Sequence, residues 1–122
     1  MTKKRIHEVY MFLATASMKR MTDDEKIAFI RLLRQMKAVS QELNSAANDA
    51  YARAVADGME ETKAMDIANR AVDDIAQAES DIATETMTEE TYMRLAMSND
   101  WNFGQIEEIR AILTTQNQTS QQ

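Results

Sequence analysis

The sequence predicts an all-α protein: a long antiparallel helical hairpin, with a short N-terminal helix and one or two short C-terminal helices packed at its base. Three observations carry this expectation. Proline is absent and glycine occurs only at Gly58 and Gly104, while residues that lose little freedom in a helix are abundant. Ala64, Ala68, Ala71, Ile75, Ala78 and Ile82 recur at alternating steps of 4 and 3, the spacing that keeps one seam turned toward a partner helix. The hairpin is also punctuated, by Thr22-Asp23-Asp24-Glu25 as a capping box at its start and Asp57-Gly58 as a turn at its tip.

In chain order, Ile6, Val9, Tyr10, Leu13 and Ala16 form one stripe of a helix expected from Lys3 to about Arg20, whose Lys19-Arg20 end suits the negative pole of the helix dipole. After the Thr22 capping box, Ile27, Phe29, Ile30, Leu32, Leu33, Met36, Val39 and Leu43 are too many for a single stripe, so this part of the second helix is expected to be covered on two sides. The helix is expected to run on through Asn44-Ser45, the alternative being a break there. Beyond that point its apolar residues shrink to alanines, with Val55 and the ring of Tyr51. Large aliphatic side chains build a core, whereas alanine buries little and lets backbones approach closely. The hairpin is therefore expected to be thick at its base and thin toward Gly58. Its returning limb is expected to reach about Glu85. Thr88-Glu89-Glu90 marks a further short helix, Asn102 to Gln105 an N-cap with a glutamine three residues on, and Trp101 is expected to plug the junction between them. Residues 1–114 are expected to form a single helical domain, with a disordered Gln-rich tail at 115–122.

Composition removes several function classes. Cysteine is absent, which excludes thiolate and disulfide chemistry, and His7 is the only histidine, which excludes any site needing two imidazoles. Asp66, Asp73, Asp74 and Asp81 leave a carboxylate metal site conceivable, but the pairs that share a face, seven residues apart, are separated by about 10 Å along the axis, and a solvated acidic face is the expected reading. No Gly-rich phosphate loop or serine-nucleophile elbow is present. No stretch of 18 apolar residues occurs, so no membrane association is expected; the absence of cysteine is compatible with a reducing cytoplasm, where the protein is expected, and with no recognisable site motif no cofactor or small-molecule substrate is expected.

The net charge of −6 divides unevenly: residues 1–37 hold nine Lys/Arg against four Asp/Glu, and residues 38–122 hold five against sixteen. Lys26, Arg31, Arg34 and Lys37 are accordingly the candidate nucleic-acid contacts. The leading expectation is different, a non-enzymatic protein acting through protein contacts or self-association along the Ala-rich arm. Tyr51, Met59 and Met65 are its candidate contact residues, methionine being an adaptable surface for a partner.

The layout of a short amphipathic helix, the capped run Glu25-Lys26-Ile27-Ala28-Phe29-Ile30-Arg31-Leu32-Leu33, and a Leu95 to Leu113 segment around Asn99-Asp100 and Gln105-Ile106 resembles small helical proteins encoded in phage and prophage genomes. That resemblance implies an assembly or accessory role and assigns no functional residue.

Overall fold

A computed structural model describes residues 1–114, and its regular structure is helical: α1 Lys3–Leu13, α2 Asp23–Ala56, α3 Glu61–Ala76, α4 Glu89–Met97 and α5 Phe103–Leu113. The all-α expectation holds; the tail expected at 115–122 lies outside the described residues. The chain divides into two compact units, Met1–Tyr10 with Gln35–Asp81, and Met11–Arg34 with the chain from Ile82 onward.

In the first unit, Ile6 and Val9 of α1 and Met36, Val39 and Leu43 of α2 are buried, as their spacing predicts. Polar groups fix α1 to α2 beside them. His7 Nδ1 lies 2.7 Å from the Oγ of buried Ser40, and Lys3 Nζ donates to Glu42 at 2.9 Å. The helix continues through Asn44 and Ser45, which are exposed and so leave the buried stripe intact.

At its C-terminus α2 closes by a Schellman motif: Met59 N–H donates to Ala54 C=O at 3.1 Å and Gly58 N–H to Val55 C=O at 3.0 Å. The motif needs a left-handed residue at position 58, and Gly58 has φ 84°. α3 then buries Ala64, Ala68 and Ala76 and half-buries Ala71 and Ile75.

α3 ends at Ala76 and does not reach Glu85. Lys3 N–H donates to Ala78 C=O and Ser80 N–H to Met1 C=O, both at 2.9 Å, around an antiparallel bridge of Thr2 and Glu79. These bonds to the N-terminal segment replace those of a further helical turn. The seam expected from periodicity is shortened as a result: Ala78 is exposed and Ile82 is outside the helix.

In the second unit, Leu13, Phe29, Leu32, Tyr92, Leu95, Ile109 and Leu113 are buried. Ile27 is not; it is 50% exposed and faces away from the stripe of Phe29 and Leu32. α1 ends at Leu13, earlier than its apolar spacing suggests. Ser17 N–H donates to Asn99 Oδ1 at 2.7 Å, its C=O accepts from Asn99 Nδ2 at 3.0 Å, and Arg20 N–H donates to Ser98 Oγ at 3.0 Å. Side chains at the C-terminal end of α4 thus take backbone bonds that a longer α1 would have made within itself.

The capping signals are realised. Thr22 and Glu25 exchange bonds of 2.8 and 3.2 Å, Thr88 Oγ1 accepts from Thr91 N–H at 3.2 Å, and Asn102 and Gln105 exchange bonds of 3.0 and 2.8 Å. Tyr92, fully buried, donates its O–H to Ile106 C=O at 2.6 Å and so joins α4 to α5. Trp101, half-buried, packs its ring at a tilt against Phe12 of α1, ring centres 5.1 Å apart.

Candidate interaction surface

The turn after α2 gathers exposed apolar side chains. Val55 precedes it on α2, Met59 follows Gly58 directly, and Met65 lies on α3; they are 47, 41 and 48% exposed. Tyr51, one helical turn before Val55, is half-buried. Of the candidate contact residues Tyr51, Met59 and Met65, the two methionines are open to solvent and the tyrosine is partly covered.

Met59 also belongs to a shallow groove of about 360 Å³, lined with Lys63, Asp66, Ile67 and Arg70. Its walls are thus two apolar side chains flanked by two cations and one anion. Met65 is absent from that lining and projects elsewhere from α3.

The basic candidates lie on α2. Arg31, Arg34 and Lys37 are exposed and Lys26 is half-buried. All four fall outside the arc of Phe29, Leu32, Met36 and Val39; from Ile27 to Leu43 the buried residues of α2 keep to that one face, not the two sides expected from the number of apolar residues.

A polar cluster of the second unit surrounds Glu25, which the sequence marks only as a capping residue. One carboxylate caps α2 through Thr22 N–H and also accepts from Thr91 Oγ1 at 2.6 Å and from Arg94 Nε at 2.9 and 3.0 Å; the Arg94 Nη2 group donates to it as well. Arg94 Nη1 reaches Glu90 at 3.2 Å. The Arg94 bonds hold the Glu25 carboxyl down at about 2 despite the opposing effect of burial, with Thr91 and Thr22 adding to them. A carboxylate so saturated is a fastener and not a general acid or base. The signal for it was present: Glu25 stands four residues before Phe29 and seven before Leu32, so it occupies the buried stripe of α2.

Beside this cluster, Arg20, Glu90, Met93, Arg94 and Met97 line a second open groove of about 470 Å³. Among the described residues no group of three or more His, Cys, Asp or Glu is placed to hold a metal ion, and no helix is long and apolar enough to cross a membrane.

Compared with protein-family models, with curated proteins and with solved structures, the chain gives no match in any of the three.

Proposed function

We propose that this chain is a non-enzymatic helical protein that acts through protein contacts, and that its α2–α3 arm, folded back at Gly58, is the self-associating element. One observation carries the reading: Val55, Met59 and Met65 remain exposed around a turn whose backbone is closed by its own hydrogen bonds. The turn itself needs none of these side chains in contact with water. The outer part of this arm, residues 46–71, buries only the alanines Ala54, Ala64 and Ala68 and gains little from its own packing, because alanine removes little apolar area from water. Covering it with a second chain would supply the missing area. The phage-type layout noted above agrees with an assembly or accessory role.

Light scattering over a concentration series tests this with the full chain and with Met59→Gln, Met65→Gln. The native chain is expected to rise above its monomer mass of 13.9 kDa and the double variant to stay at it. A native chain that stays at 13.9 kDa throughout contradicts the reading.

The alternative is a nucleic-acid accessory using the basic N-terminal third, supported by the exposure of Arg31 and Arg34. Salt-sensitive retention on DNA or RNA, lost on Arg31→Glu, Arg34→Glu, would favour it over self-association.

A further inference from the structure

We propose that the outer face of α3 is a self-complementary docking stripe, on which a second copy of this chain lies antiparallel, with Asp66 of each copy paired to Arg70 of the other and Lys63 to Asp73. The proposal rests on the self-association reading above and specifies its geometry.

The stripe is defined by helical geometry and by exposure. At about 100° per residue, Lys63, Asp66, Ile67, Arg70, Asp73 and Asp74 fall within about 120° of the circumference of α3, away from the face that buries Ala64 and Ala68. Lys63, Asp66, Arg70, Asp73 and Asp74 are exposed and Ile67 is half-buried. Four of the six line the groove that opens beside Met59. No ion pair among the described residues engages these five charges.

The order of signs chooses the occupant. Along α3 the stripe reads positive at Lys63, negative at Asp66, positive at Arg70 and negative at the neighbours Asp73 and Asp74, which together face the level of Lys63 in the second copy. Reversing the direction of such a sequence exchanges every sign. A second α3 running antiparallel, with a two-fold axis at the level of residue 68, therefore sets each charge against its opposite. A parallel copy in register sets each against its like, which is repulsive. Because a two-fold contact is made by one patch with itself, the pattern needs no other protein to complete it. Ile67, next to the axis, meets its counterpart and supplies the apolar centre, with charged pairs around it. The stripe spans only about 15 Å of helix, short of the roughly 800 Å² per partner usual for a permanent interface, so the dimer exchanges readily and weakens as salt screens its pairs.

The full chain carrying Asp66→Arg and the full chain carrying Arg70→Asp make the test. Each variant alone places like charges opposite each other twice and is expected to associate at least tenfold more weakly than the native chain in sedimentation equilibrium. Mixed in equal amounts they restore both pairs, and native mass spectrometry is expected to show the heterodimer above either homodimer. Circular dichroism confirms helicity in each; if either is misfolded, Lys63→Glu with Asp73→Lys repeats the same exchange. A native chain that associates while the variants associate equally well, or a mixture no better than its components, overturns the stripe and leaves the self-association reading standing. A native chain that never associates overturns both.

Discussion

Substituting Glu25 by glutamine isolates the charge that fastens α4 to the start of α2. Glutamine keeps the shape of the side chain and its place in the Thr22 capping box, which accepts either residue. What it removes is the anion facing Arg94. In the native chain the carboxyl is lowered from 4.5 to about 2, and at about 1.4 kcal/mol for each tenfold in proton affinity this corresponds to a ceiling of about 3 kcal/mol. Solvent reduces that figure, since the Arg94 side chain is 35% exposed although that of Glu25 is only 13% exposed. A loss of about 1–2 kcal/mol is therefore expected at neutral pH. The sign of the pH dependence follows from a depressed folded-state value: the contribution is complete above about 4.5 and fades as pH falls toward 2. Urea unfolding followed by circular dichroism at pH 7, 4.5, 3 and 2 reads the gap between the two proteins, and the other carboxylates titrate alike in both. The expected gap is full at pH 7 and nearly closed at pH 2. Equal stabilities at pH 7, or a gap that is the same at pH 2, would refute the role assigned to Glu25.

Three further outcomes are expected in the same unfolding assay. Tyr92→Phe removes the bond that the phenol donates to the Ile106 carbonyl of α5 and costs about 1 kcal/mol; the native phenol remains a donor into alkaline solution, because burial, with Glu107 and Glu89 nearby, pushes its pKa up. Gly58→Ala costs about 1 kcal/mol through backbone strain alone, since φ is 84° and an added Cβ meets nothing within 4 Å. Asn99→Ala removes the bonds to the Ser17 backbone and to Leu95 C=O, costing about 1–3 kcal/mol, and the Ser17 amide loses its protection in hydrogen exchange; unchanged protection would contradict the tether.

Local chemistry in this chain was legible and distant pairing was not. Thr22 to Glu25, Thr88 and Asn102 to Gln105 announce helix starts because a cap is made within four residues, and Gly58 announces a helix end for the same reason. The buried stripes of α1 and α2 follow from spacing alone. The ends of α1 and α3 do not, since Asn99 captures Ser17 from 82 residues away and Lys3 bonds to Ala78 far along the chain. Helical periodicity continues past both ends, and a hydrogen bond to a remote partner overrides it. Ile27 misled for a related reason: its apolar character says nothing about which side of α2 is covered, whereas its place opposite Phe29 and Leu32 does. At the candidate surface, Met59 and Met65 were legible from their closeness to the turn. The sign pattern on α3 was also written in the sequence, but it acquires meaning only once Ala64 and Ala68 are known to be buried and the opposite face is known to be open.

Because the chain contains no cysteine, a single cysteine introduced at exposed Asn69 can carry the only spin label, near the proposed two-fold axis and off the charged stripe. Dipolar spectroscopy of that protein tests the central claim, that the arm meets a second copy of itself. Packed helices lie about 8–10 Å apart, so an intermolecular distance below roughly 25 Å is predicted, absent when the label is moved to Arg31 on α2 and lost on dilution. No intermolecular coupling from Asn69 at any concentration, or coupling from Arg31 alone, would contradict it.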